Sequence, residues 1–152
     1  MTPDEQSYQD RPGGVFRRIL VGYDGSEGAQ RALRVAIAMA GDLHGDVHAL
    51  LVVRLPAHVE TPEERERATR AERENLLRGF ADIADQTQYH VGITTDVVFD
   101  NEPAKAIAHW AQEYGFDLIV VGGHGRERAT HAGIGHSLEV LLGQRSGPVL
   151  VV

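Results

Sequence analysis

The sequence predicts an α/β fold: a single doubly wound, five-stranded parallel sheet with helices on both faces. Three observations predict it. Five short segments, 18–24, 47–53, 93–99, 117–121 and 149–152, read as apolar runs rather than alternations, as strands buried on both faces do. Between them lie segments whose apolar residues recur at three-and-four spacing, the signature of a one-sided helix. Strand and helix patterns alternate along the chain, and right-handed crossovers between parallel strands leave few topologies for that order.

Residues 1–15 are polar, contain Pro3, Pro12, Gly13 and Gly14, and show no periodicity, so they are expected to be a disordered tail before one domain at 16–152. The first strand, Arg18-Ile19-Leu20-Val21-Gly22-Tyr23-Asp24, ends in a glycine and an acid, and Gly25-Ser26 forms a turn with Ser26 as N-cap. Ala29, Ala32, Leu33, Ala36, Ile37, Ala40 and Leu43 then mark one helix face that stops near Gly45. After the second strand and Leu55-Pro56, Thr61-Pro62-Glu63-Glu64 combines an N-cap, a proline at the first helical position and a capping-box glutamate. That helix is expected to run to about Gln86. Its first half should be a solvated lattice of four-apart pairs, Glu63 with Arg67, Glu66 with Arg70, Arg70 with Glu74 and Glu74 with Arg78. Leu76, Leu77, Phe80, Ile83 and Ala84 form its core stripe. Asp100-Asn101-Glu102-Pro103 starts a third helix with Ile107, Trp110, Ala111 and Tyr114 on one face and Gly115 just past its end. A short helix carrying Leu138, Leu141 and Leu142 follows the fourth strand, and Gly147-Pro148 introduces the fifth.

Composition narrows the function classes. A chain of 152 residues is one domain by prior and long enough to bury a core. The net charge of −7 argues against a general nucleic-acid binder, which would present a basic face. No apolar run approaches the roughly 20 residues that span a bilayer. The N-terminus lacks the basic start and apolar stretch of a signal peptide, so the expected location is cytoplasmic. With no cysteine, disulfides, thiolate catalysis and cysteine-ligated zinc are excluded.

The chemistry gathers behind the fourth strand. Leu118-Ile119-Val120-Val121 runs into Gly122-Gly123-His124-Gly125, a basic loop follows, and a second cluster, Gly133-Ile134-Gly135, precedes His136-Ser137 at a helix start. Glycines let backbone approach a ligand closely, and the N–H groups of a helix start point at an anion. Backbone donors at residues 136 and 137, with Arg126 and Arg128, offer positive potential to a polyphosphate. The first and fourth strands, with glycines at their carboxyl ends, belong side by side at the point where strand order reverses, the position at which doubly wound sheets bind ligands. Plainer roles stand beside these. Each glycine also suits a tight turn, and Asp24 suits a turn or cap. No Gly-x-x-x-x-Gly-Lys occurs, and Gly22-Tyr23-Asp24-Gly25 is not a dinucleotide fingerprint. A His131-Ala132-Gly133-Ile134-Gly135-His136 signature of nucleotidyl transfer would belong after a first strand. His124, His131 and His136 lack carboxylate partners for a metal site. No nucleophile stands next to a base, so no catalytic residue is assigned.

The spacing Gly122-x-x-Gly125, nine residues, Gly135 resembles the universal stress protein family, whose nucleotide-binding members carry Gly-x-x-Gly, nine residues, Gly and then Ser or Thr. The resemblance extends over about residues 17–152. It takes in ILVGYDGSE at 19–27, LLVV at 50–53, Asn101-Glu102-Pro103-Ala104, DLIVVGGHGR at 117–126 and GPVLVV at 147–152. It implies a Rossmann-like sheet of order 3-2-1-4-5. It places Asp24, with Gly22 and Tyr23 beside it, near adenine, and makes Val53 an apolar wall. The loop Gly122, Gly123, His124, Gly125 and the helix start at Gly135 would hold ribose and phosphates. His136 departs from the family pattern, since it stands where the hydroxyl belongs, and its charge depends on pH. Ser137 supplies the hydroxyl if the helix start shifts slightly.

The resulting expectation is an ATP-binding sensor or regulator of stress response, with Mg²⁺ on the phosphates and at most slow hydrolysis. The alternative is a member that binds no nucleotide and serves as a dimeric interaction scaffold. The resemblance makes the last strand an edge, and Val149, Leu150, Val151 and Val152 form an uncharged edge that would aggregate unless paired. The resemblance implies that this strand pairs with its own copy across a two-fold axis, and a dimer is expected under both readings. Neither nucleic acid nor membrane is an expected partner.

Overall fold

The computed structural model describes residues 16–54, 57–123, 136–143 and 147–152. The expected tail at 1–15 and the Leu55-Pro56 break lie outside the described residues. In chain order the elements are β1 (Arg18–Tyr23), α1 (Glu27–Leu43), β2 (Asp46–Val53), α2 (Pro62–Asp85), β3 (Gly92–Phe99), α3 (Pro103–Glu113), β4 (Leu118–Val121), α4 (His136–Gly143) and β5 (Val149–Val151). The five strands form one sheet of order β3-β2-β1-β4-β5, and every adjacent pair is parallel. Strand order thus reverses between β1 and β4.

The pleat sends alternate residues of the central strands to opposite faces. Ile19, Val21 and Tyr23 of β1, Val47, Ala49, Leu51 and Val53 of β2, and Leu118 and Val120 of β4 pack with α1 and α2. Leu20, Leu50, Val52, Ile119 and Val121 pack with α3 and α4 on the other face. Because both faces of β1, β2 and β4 are covered, both parities are apolar there. β3 departs from the predicted run. It is a sheet edge, and Thr94 and Asp96 are exposed.

Local signals explain the helix ends. Ser26 caps α1, its Oγ accepting the Ala29 N–H at 3.1 Å. The helix ends at His44, whose φ of 57° is left-handed. The glycine at 45 serves a different need, because a Cβ there would stand 2.9 Å from the carbonyl oxygens of Phe16 and Arg17. The Thr61 capping box closes in both directions, Glu64 N–H to Thr61 Oγ1 at 3.2 Å and Thr61 N–H to Glu64 Oε2 at 3.3 Å. Of the four ion pairs expected along α2, Glu66–Arg70 closes at 2.8 Å among the described residues, and the others do not. Such exposed pairs stabilise by only about 0.3–0.5 kcal/mol, too little to hold long side chains in place. Gly115, at φ 65°, ends α3 as predicted. Leu142 does not join the core: Leu138 and Leu141 bury one side of α4 and leave it outside.

At the amino ends of the strands, Asp117 ties β4 to β1. Its Oδ2 and Oδ1 accept the N–H groups of Arg17 at 3.1 Å and Arg18 at 2.9 Å. The Arg18 guanidinium donates to the Tyr114 carbonyl at the end of α3 and lies 4.9 Å over the Phe116 ring. A cation at a helix carboxyl end complements its dipole.

Candidate functional site

At the carboxyl edge of the sheet, Ile19, Leu20 and Val21 pair with Leu118, Ile119 and Val120, so β1 and β4 leave the sheet side by side. The chain turns immediately after β1. Asp24 Oδ1 accepts the Ser26 N–H at 2.9 Å, Gly25 takes the left-handed φ of 82°, and α1 begins. Asp24 therefore does fill the turn role, while remaining half-buried at the edge of the switch point. The start of α1 is drawn against the end of β4. A Cβ on Gly122 would stand 2.6 Å from the carbonyl carbon of Gly28 and 2.9 Å from its Cα, so the two backbones touch.

The structure places the other predicted residues as follows. Gly22 lies under α3, where a Cβ would meet Ile107 Cδ1 at 2.5 Å. The Tyr23 side chain is in the core at 2% exposure, edge-on to Phe80 with ring centroids 6.5 Å apart. Burial first, and then the charge of Asp24, push its hydroxyl pKa up, with Arg34 opposing. Val53 is wholly buried, and its carbonyl accepts the Asp100 N–H at 3.0 Å. The Gly123 N–H donates to the Val152 carbonyl at 3.0 Å, which ties it to the last strand. Asp24, Gly122 and Gly123 thus gather at the switch point. Tyr23 and Val53 end at the same edge of the sheet but turn their side chains inward. His124, Gly125, Arg126, Arg128 and Gly135 lie outside the described residues, as do the side chains of His136 and Ser137.

Gly28 is the residue that sequence reasoning missed. A glycine in the first turn of a helix forgoes about 0.5–1 kcal/mol relative to alanine, and that sacrifice is the available sign of a close backbone approach. The cluster around His48 was also missed. His48 Nδ1 lies 2.6 Å from Thr94 Oγ1, and Nε2 lies 3.1 Å from Asp96 Oδ2 without good hydrogen-bond alignment. The ring stacks on Trp110 at 6.1 Å and 8° and tilts against Phe116 at 5.6 Å. Burial holds the His48 pKa below its usual value, although Asp96 pulls the other way. Among the described residues no group of three or more His, Asp or Glu is arranged to hold a metal, and no helix is long and apolar enough to cross a membrane.

A sequence model described as the universal stress protein family matches residues 16–152. The chain is 27% identical to universal stress protein YxiE of Bacillus subtilis over 147 residues, covering 91% of this chain and 99% of that protein. A crystal structure of a universal stress protein family member from Burkholderia pseudomallei is 30% identical, covers 93% of this chain and 98% of its own, and superposes with a TM-score of 0.71. The universal stress protein of Archaeoglobus fulgidus in complex with dAMP shares the fold at 20% identity, with a TM-score of 0.62 over 91% of this chain and 98% of that one.

Proposed function

Because the chain belongs to the universal stress protein family, we propose that it binds an adenine nucleotide where β1 and β4 part, and acts as a sensor or regulator. The observation that carries this reading is the meeting of Asp24, the first turn of α1 and Gly122 at the reversal of strand order, where doubly wound sheets take their ligands. A half-buried carboxylate suits a donor such as the adenine amino group or a ribose hydroxyl. The dAMP complex of the Archaeoglobus fulgidus relative supports the choice of an adenine nucleotide.

On this reading Gly22, Tyr23, Asp24 and Val53 form the base end, with Tyr23 and Val53 acting as the rigid floor beneath it. Gly122, Gly123, His124, Gly125, Arg126, Arg128, Gly135, His136 and Ser137 take ribose and phosphates, and ATP is the ligand with the most charge for Arg126 and Arg128 to meet. Mg²⁺ would neutralise phosphate charge when bound. In the sequence no nucleophile stands next to a base, so binding rather than turnover is the proposed activity. The copy-to-copy contact proposed with it uses β5, whose Val151 is 41% exposed at the sheet edge.

A second reading, a dimeric scaffold without nucleotide, is favoured by one observation. The fold itself occupies several groups of the site: the Gly123 N–H, the Val53 carbonyl and one Asp24 oxygen. Denaturing the purified protein and separating what it releases by chromatography distinguishes the two. An adenine nucleotide in stoichiometric amount supports the first. Protein free of nucleotide that also fails to take up ATP with Mg²⁺ supports the second.

A further inference from the structure

The stripe of α2 that faces the sheet changes character along the helix. Its C-terminal half buries Leu76, Phe80 and Ile83. Carried toward the N-terminus at the same three-and-four spacing, that stripe becomes Arg73, Arg70, Thr69, Glu66, Arg65 and Pro62. There it roofs an open cleft of about 420 Å³ at the edge of the sheet, completed by Phe99 at the end of β3. An inward helix stripe is ordinarily apolar. This one carries three arginines over a phenylalanine that is 50% exposed.

Two features leave the cleft chemically unfinished. Arg70 is paired with Glu66 at 2.8 Å, but the Arg65 and Arg73 side chains make no hydrogen bond or ion pair among the described residues. Thr69 Oγ1 is closed to solvent and has no hydrogen-bond partner. Buried hydroxyls are nearly always satisfied, so Thr69 marks a polar group the fold leaves unmet beneath the arginines, although an atom closed to water does not itself reach a ligand.

We propose that this cleft docks an acidic peptide segment of a partner protein, with two carboxylates on Arg65 and Arg73 and an apolar side chain between them on Phe99. Charge selects the class of partner: the lining is cationic by two in a chain whose net charge is −7. Length selects the form. Residues 65 and 73 are eight apart, about 12 Å along a helix axis. In an extended peptide, residues i, i+2 and i+4 share one face and span about 13 Å. The fitting motif is acidic-x-apolar-x-acidic. A single-stranded nucleic acid offers anions and flat bases too, but it brings a charge at every phosphate to a chain of net charge −7, whereas the peptide brings two carboxylates and sets both on arginines. The proposal is independent of the nucleotide reading and uses none of its residues.

The test is fluorescence anisotropy of a labelled peptide containing Glu-Ser-Leu-Ser-Glu, titrated with the full chain at low salt. Saturable binding is expected. It should weaken at least about tenfold in the Arg65→Glu, Arg73→Glu double variant and several-fold in Phe99→Ala. A peptide with lysine in place of both glutamates should bind the double variant and not the parent. The substituted positions are exposed, and circular-dichroism melts are to check that both variants fold. The proposal is overturned by absence of saturation at about 1 mM peptide, by equal binding to parent and double variant, or by an oligothymidylate that binds more tightly than the peptide.

Discussion

The backbones of Gly28 and Gly122 are in contact, which fixes the first turn of α1 against the end of β4. Any side chain at 122 must push the two elements apart, because the atom it meets at 2.6 Å is backbone and cannot swing aside. Gly122→Ala should therefore destabilise the protein by about 1–3 kcal/mol, the usual cost of overpacking. At Gly123 a Cβ would find Val151 Cγ1 at an ordinary 3.5 Å, so Gly123→Ala should cost much less. Urea denaturation of the two variants side by side checks the contrast.

Asp117 should behave as a structural clamp. Its two oxygens accept backbone N–H groups from Arg17 and Arg18, at the start of the strand that the whole sheet is built around. Asp117→Ala leaves two partly buried donors without acceptors and should cost about 1–3 kcal/mol. Amide exchange at residues 17–19 should accelerate more than exchange in β2.

Stability should depend on His48 in mildly acid solution. Burial, with the nearby Arg18 charge, holds the His48 pKa below its ordinary value of 6.5, against the pull of Asp96. The unfolded chain therefore binds this proton more readily than the folded one. The neutral ring contributes stability that is fully present above the unfolded value and is lost as pH falls from there through the folded pKa. The groups facing the ring are Thr94 and Asp96 from β3, Arg18 from β1, Trp110 from α3 and Phe116. In His48→Gln the fall in urea midpoint between about pH 6.5 and pH 5 should flatten relative to the parent.

The edge strand predicts oligomeric state. Val151 is exposed on β5, which has a neighbour on one side only. The parent should sediment as a dimer, and Val151→Lys, which places a charge on the edge, should sediment as a monomer.

Much of this architecture was legible because it depends on local rules. The Thr61 box, the Ser26 cap and the Gly115 stop each involve residues a few positions apart, and each appears as predicted. The strand order was a different matter. Apolar runs show that β1, β2 and β4 are buried, but 3-2-1-4-5 came with the family resemblance. β3 was read as one more buried run although it is an edge, since Ile93, Val97 and Val98 do not reveal which neighbour is missing. The His48 cluster stayed hidden because its members come from β1, β2, β3 and α3, and no spacing within one segment encodes a contact across strands. At the candidate site, Gly22 and Gly122 read as glycines that let a ligand approach. In the fold they let Ile107 and Gly28 approach. A sequence shows that a side chain is forbidden but not which neighbour forbids it.

Thermal unfolding with and without ATP and Mg²⁺ tests the central claim most directly. A ligand at about 100 times its dissociation constant adds roughly 2.7 kcal/mol. For a domain of this size that should raise the melting temperature by at least about 5 °C. The account predicts such a rise in the parent, and its loss in Asp24→Ala and Gly125→Ala. A melting temperature unmoved by millimolar ATP and Mg²⁺, in protein shown to carry no nucleotide from purification, would contradict it.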